Sequence, residues 1–190
     1  LTGYDLEHVF NEGLTEFDLG KVLAGSEGTL AFITEAKLNI TPIAKFKTMI
    51  NITYDSFDSA LRNSPFLVDA KATSVETIDS TVLNLAKQDV VWADVADLIV
   101  EKHGSVVDGL NIVEFNDEDE ENQTAKVSSL CARLDELIHN KESGVLTYSV
   151  TNDRADMGRV YAMRKKSVGL LGNVQGDKKP IAFAEDTAVP

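Results

Sequence analysis

Between Gly28 and Pro42 the apolar residues fall at near period two: Leu30, Phe32, then Ala36, Leu38 and Ile40. Such alternation predicts a strand, because successive strand side chains point to opposite faces, and Pro42 closes it. Before it, residues 1 to about 20 read as turn and loop around Gly3 and Glu12-Gly13. Beyond it, Phe46 to Tyr54 places Thr48, Ile50 and Ile52 on one face of a second strand. Asp55 or Ser56 caps a helix that runs to Ser64-Pro65, with Phe66 to Ala70 as a separate short helical piece. Ala72 to Asp79, rich in β-branched residues, is a strand, and Ser80 caps the helix carrying Val82, Leu83 and Leu85.

Trp92, Val95, Ala96, Ile99 and Val100 recur at helical spacing and predict a helix from about Trp92 to Glu101. Asp108 to Glu114 is a buried strand, and the acidic run from Asp117 to Glu121 opens a long helix reaching about Asn140, where carboxylates suit the positive end. Gly144 ends that helix. Val145 to Val150 alternates as a strand, Asp153 caps a helix from Ala155 to about Leu171, and a loop leads to a short strand at Ile181 to Ala184. This order predicts an α+β fold, an antiparallel sheet with helices packed on one side, with a domain junction at Pro42 to Lys45.

Composition narrows the partners. Eighteen basic against 31 acidic residues give a net charge of −13, which repels nucleic acid and offers no polybasic membrane patch. No apolar run approaches the roughly 18 residues of a membrane span, no basic-then-apolar leader is present, and a start at Leu1 reads as an excised piece of a longer polypeptide. The single Cys131 lies on the apolar side of the long helix as an inert thiol; alone it can form neither an internal disulfide nor a cluster site. His8, His103 and His139 are scattered surface residues, and no metal-ligand spacing is present. Asp117 to Glu121 lacks the glycine and alternating ligands of a calcium loop and reads as a solvated helix start. Three glycosylation-type triplets are set aside, since two fall in predicted strands.

Two motifs carry chemistry. In Gly25-Ser26-Glu27-Gly28-Thr29 the glycines allow close approach and leave the amides of Ser26, Glu27 and Gly28 to face an anion or a flat polar ring. In Tyr161-Ala162-Met163-Arg164-Lys165-Lys166, cations cluster on an otherwise acidic chain; Lys165 and Lys166 read as complements to the helix dipole.

The string from Gly25 to Pro42 resembles the segment that ends the flavin-binding domain of FAD-linked oxidases in the vanillyl-alcohol oxidase superfamily. The branch is that of glycolate oxidase D subunits, D-lactate dehydrogenases and D-2-hydroxyglutarate dehydrogenases. Leu1-Thr2-Gly3-Tyr4-Asp5-Leu6 resembles the same family's T-G-Y-N-L element with Asp5 in place of Asn, and Ala184 to Pro190 resembles its return into the flavin domain. Ser74 to Ser80, Leu83 to Asp89 and Tyr161 to Leu171 look most like the large bacterial members that carry a C-terminal iron–sulfur region.

The resemblance implies that residues 1–44 end the FAD-binding domain, 45–176 form the cap, or substrate, domain of ferredoxin-like halves, and 177–190 return toward the flavin. It implies FAD contacts from Gly25, Ser26, Glu27, Gly28, Thr29 and Ile33, and an Arg164 that holds the substrate carboxylate, for which a planar bidentate cation is suited. The family's metal and proton-abstraction residues fall after Pro190, so no catalytic or metal-binding residue is expected within this chain. Ala184 stands where the 2-hydroxyglutarate enzymes carry a substrate-holding lysine. The implied activity is oxidation of a D-2-hydroxy acid, of 2-hydroxyglutarate or lactate type, to the 2-keto acid. FAD takes the hydride, and electrons leave through iron–sulfur centres outside the chain. The expected setting is cytoplasmic or peripheral to the inner membrane face, with the rest of the parent chain as partner and the piece alone inactive. The competing reading is a non-catalytic α+β interaction module; Arg164 and the glycine loop favour the enzyme, because a module needs neither.

Overall fold

Nine consecutive residues, Phe46–Tyr54, form β1, and the last seven of them are buried. Burial of both faces marks a central strand. In the computed structural model, which describes residues 3–101 and 104–172, β1 lies between β3 (Gly109–Asp117) and β4 (Val145–Thr151), and β2 (Ser74–Asp79) pairs with the far side of β3. All three pairings are antiparallel, with Ile50 opposite Val113 and Val150, and Ile78 opposite Leu110. The connections β1–α2–β2 and β3–α4–β4, with α2 at Phe57–Asp69, α4 at Glu120–Asn140 and strand order β2-β3-β1-β4, are those of a ferredoxin-like βαββαβ unit. One such unit is present among the described residues. The expected α+β class and antiparallel sheet are what the chain adopts.

The helices, however, cover both faces. α2 (Phe57–Asp69) and α4 (Glu120–Asn140) pack over Ile50, Ile52, Tyr54, Val113 and Phe115. On the other face α3 (Ser80–Gln88), the 3-10 helix Val90–Asp94 and α5 (Arg154–Leu171) pack over Met49, Ile78, Leu110 and Ile112. Asn51 and Thr53 point to this second face, where their polarity reads as solvent exposure. Instead, Asn51 Nδ2 donates to Leu98 O at 3.3 Å and Thr53 Oγ1 to Thr147 O at 3.2 Å, while Ser149 Oγ also donates to Leu98 O. With the Asn51 amide nitrogen and the Thr53 hydroxyl paired to carbonyls, these polar side chains lie under a cover, although the Asn51 Oδ1 is buried without a partner among the described residues.

Four local expectations change. α2 runs unbroken through Pro65, whose φ suits a helix; the carbonyl it leaves unpaired belongs to Leu61, which is half-exposed and can meet water. Asp79, not Ser80, caps α3 by accepting from Val82 N at 2.8 Å. Residues 92–101 form a 3-10 helix and turns rather than an α-helix, although Val95 and Ile99 are buried as the helical spacing requires. α4 ends at Lys141 in a left-handed conformation, three residues before Gly144.

The turns after the 3-10 helix are clamped to α5 by Arg159. Its guanidinium reaches both carboxylate oxygens of Asp97 at 3.0 and 3.1 Å, Asp156 at 2.7 Å and the Asp94 carbonyl at 2.5 Å. Hydrogen bonds from Arg159 hold the Asp97 and Asp156 carboxyls below the usual carboxylate range, with Thr151 assisting at Asp156. A carboxyl whose folded pKa is depressed binds fewer protons folded than unfolded. Its stabilisation is therefore complete above the ordinary Asp pKa of about 4 and is lost as pH falls through the depressed values. The urea-unfolding midpoint is expected to drop between pH 5 and pH 3, and Arg159→Met to flatten that drop; parallel profiles for the two proteins would contradict it.

The described residues divide into two compact units, 3–42 and 43–172. In the first, α1 (Leu19–Ala24) is capped by Asp18, and Phe10 and Phe17 meet across an isolated antiparallel bridge with ring centroids 5.2 Å apart. The predicted strand from Leu30 to Ile40 does not form. A strand exists only when its backbone groups have a partner, and among the described residues none is offered; Phe32 and Ile40 are 92% and 89% exposed.

Candidate functional site

Gly25 follows α1 directly, and a Cβ there would collide with the carbonyl of Gly3. The glycine loop and the Gly3-Tyr4-Asp5 element, far apart in sequence, thus meet backbone to backbone. Asp5 accepts from His8 Nδ1 at 2.7 Å, an interaction that lowers its pKa, and Lys21 approaches at 3.9 Å. Glu27 and Gly28 both have positive φ, and Thr29 N donates to Ser26 O at 2.9 Å, the pattern of a type I′ turn. The Ser26 amide is not available, since it donates to Leu23 O at 3.1 Å, and the Ser26 hydroxyl does the same at 2.9 Å. Among the described residues the Glu27 and Gly28 amides have no such acceptor, both residues are exposed, and the space beside Gly28 is open. Thr29 and Ile33 are exposed as well, with Thr29 Oγ1 donating to Ser26 O at 2.6 Å.

In the second unit, Arg164 is carried by α5, which Asp153 caps through Ala155 N at 2.6 Å. Val160 and Met163 are buried in the core on this face of the sheet and Ser167 is buried on the same helix, which leaves Arg164 on the flank of the helix at the rim of a cleft. The cleft, of ≈ 340 Å³, wraps the edge strand β2 and is lined by Phe57, Glu76, Thr77, Ile78, Asp79, Val82 and Arg164. Arg164 Nε lies 2.7 Å from Glu76 Oε2, with the two side chains 50% and 34% exposed. Arg159 is saturated by aspartates and a carbonyl, whereas no N–H of Arg164 has an acceptor in hydrogen-bonding geometry among the described residues. Its Nη1 and Nη2 form an open edge suited to a carboxylate. Lys166 pairs with Asp89 at 2.7 Å rather than serving the helix end.

Glu76 and the apolar lining from Phe57 and Val82 were not singled out from sequence. The one available signal was a carboxylate at an edge-strand position, which is too common to be informative. Cys131 is half-buried, and burial pushes its thiol up, so it stays protonated. His8 and His139 are exposed. His103, Ala184, the Ile181 to Ala184 strand and the return segment 177–190 lie outside the described residues. Among the described residues no group of three His, Cys, Asp or Glu side chains could hold a metal, and no helix is long and apolar enough to cross a membrane.

Residues 43–190 match the family described as FAD linked oxidases, C-terminal domain. The chain belongs to that family. It is 59% identical over 190 residues to the D-2-hydroxyglutarate dehydrogenase of Escherichia coli (strain K12), covering 100% of this chain and 19% of that protein. The protein of the same name in Pseudomonas putida (strain KT2440) is 42% identical over 190 residues, 100% of this chain and 18% of that protein. Glycolate oxidase subunit GlcD of Bacillus subtilis (strain 168) is 22% identical over 180 residues, 92% of this chain and 33% of the relative. The chain thus spans about a fifth of the length of the curated D-2-hydroxyglutarate dehydrogenases it matches.

The turn at Ser26 to Thr29 fits contact with the polar edge of a flat ring: two adjacent amides are free among the described residues, and a Cβ would fill the open space beside Gly28. Gly25 to Thr29 carries no cation, so a positive charge to neutralise the pyrophosphate of a dinucleotide would come from elsewhere.

Proposed function

We propose that this chain is part of a longer FAD-dependent dehydrogenase that oxidises a D-2-hydroxy acid, of the 2-hydroxyglutarate type, to the 2-keto acid. The observation that carries the reading is 59% identity across every residue of the chain to a D-2-hydroxyglutarate dehydrogenase. The open Arg164 edge gives it a chemical basis. In this reading residues 1–44 end the flavin-binding domain, 45–176 form the substrate domain and 177–190 return toward the flavin. FAD, when bound, supplies the two-electron acceptor for conversion of the C–OH to C=O. Arg164 holds the substrate carboxylate through Nη1 and Nη2, while Phe57, Ile78 and Val82 exclude water from one side of the cleft and strengthen that pairing. The Glu27 and Gly28 amides, with Gly25, Ser26, Thr29 and Ile33 shaping the turn around them, hold the polar edge of the flavin. One cysteine cannot ligate an iron–sulfur cluster, so any such centre belongs to sequence beyond this chain. The enzyme acts in the cytoplasm or at the inner membrane face.

The test is steady-state reduction of an artificial acceptor by the FAD-loaded full-length protein, with D-2-hydroxyglutarate, D-lactate and their L-enantiomers compared. D-2-hydroxyglutarate is expected to be the preferred donor. Failure of both D-acids, with L-enantiomers equal or better, would remove the assignment.

A further inference from the structure

The cleft at the β2 edge already contains an internal carboxylate. Glu76 comes from the strand itself and Arg164 from a helix that packs over the sheet, so the pair links two elements through charge alone. Their 2.7 Å approach is close, yet the Nε–H is not directed at the oxygen well enough to form a hydrogen bond; other ion pairs here, such as Arg62 Nε with Asp58 at 2.6 Å, have both proximity and alignment. Asp79, the other acid lining the cleft, is differently committed, its Oδ1 capping α3. With Asp79 held in place, Glu76 is the acid that faces the guanidinium, and it neutralises in the resting cleft the charge that would attract an anionic ligand.

We propose that Glu76 is a positioning counter-ion for Arg164 that sets how tightly the cleft holds a carboxylate ligand: it keeps the guanidinium at the rim and competes with the incoming anion for it. This rests on the reading of Arg164 as the carboxylate-binding residue. Like charges about 5 Å apart in a partly solvated cleft repel measurably, and bringing a carboxylate to Arg164 places it near Glu76. Removing the Glu76 charge while keeping its shape therefore strengthens binding of a carboxylate ligand, whereas a purely structural ion pair would lower stability and leave affinity unchanged.

The experiment uses the full-length FAD-loaded protein and its variants Glu76→Gln, Glu76→Ala and Arg164→Lys. Two quantities are read: the affinity for glutarate, a dicarboxylate with no hydroxyl to oxidise, by titration calorimetry, and KM against kcat with D-2-hydroxyglutarate. Glu76→Gln is expected to tighten glutarate roughly threefold to tenfold and lower KM by a similar factor, with kcat changed less. Glu76→Ala checks the direction by a second route that also removes the charge. If neither variant tightens glutarate while Arg164→Lys weakens it, the counter-ion role is wrong and the carboxylate-binding role of Arg164 stands. If Arg164→Lys leaves glutarate affinity unchanged, both fall.

Discussion

Replacing Arg164 with lysine in the full-length protein is expected to lower kcat/KM for a D-2-hydroxy acid by roughly ten- to a hundredfold, the equivalent of one charge-assisted hydrogen bond of about 1.5–3 kcal/mol. The charge survives the substitution; the planar, two-point grip does not. A lysine ammonium can still attract the carboxylate, but it cannot fix the carboxylate plane, and so the α-carbon is presented over a wider range of angles. Flavin occupancy and the melting temperature are expected to stay at wild-type values, because Arg164 is half exposed and forms no hydrogen bond to the fold among the described residues. Arg159→Lys provides the internal contrast. That arginine is saturated by Asp94, Asp97 and Asp156, so its replacement should move stability and leave KM alone. Unchanged kcat/KM in Arg164→Lys, with the preferred substrate saturable, would return Arg164 to the role of a surface cation.

Gly109→Ala is expected to destabilise the sheet unit by about 1–3 kcal/mol, the cost of forcing one extra carbon into a packed contact. Gly109 opens β3 opposite Tyr54, and the start of α2 crosses it so closely that a Cβ would sit 2.6 Å from the Ser56 carbonyl oxygen and 3.1 Å from the Ala60 Cβ. The Ser56 oxygen is backbone and already accepts from Ala60 N at 3.2 Å, so it cannot turn aside as a side-chain tip would. Relief requires α2 to lift from the sheet, loosening Ala60 and Leu67, both fully buried. Urea unfolding at neutral pH measures the effect, and a midpoint equal to wild type would show that α2 can shift freely.

The sequence made some of this legible and concealed the rest for identifiable reasons. The Phe46–Tyr54 and Val145–Thr151 strands were visible because alternation of apolar residues survives wherever one face of a strand meets a helix. The same rule misread Leu30 to Ile40, since alternation records which side chains are apolar and says nothing about whether a neighbouring strand is present. The second layer of helices was missed because Asn51 and Thr53 look like solvent-facing residues until the carbonyls they bond are located. At the candidate site, Tyr161 to Lys166 stood out as a cation cluster on an acidic chain and the family resemblance singled out Arg164 within it, but Glu76 was one acid among 31 and became meaningful only when β2 was placed beside α5. The need for glycine at 109 likewise comes from a helix more than forty residues earlier in the chain, which no local pattern records.

The strand order β2-β3-β1-β4 also dictates the timing of assembly. As the nascent chain leaves the ribosome β1 emerges first, yet both of its neighbours are the last two strands to be made, so its apolar faces stay unmatched while α2, β2, α3 and the 3-10 segment are synthesised. Only when β3 and β4 arrive can the central ladder close, and closure over such separations is slow relative to local helix formation. The interval is a window in which Met49, Ile50 and Ile52 are open to pairing with another nascent chain, and it makes α2, which follows β1 immediately and buries Ala60 and Leu67 against it, the first available shield.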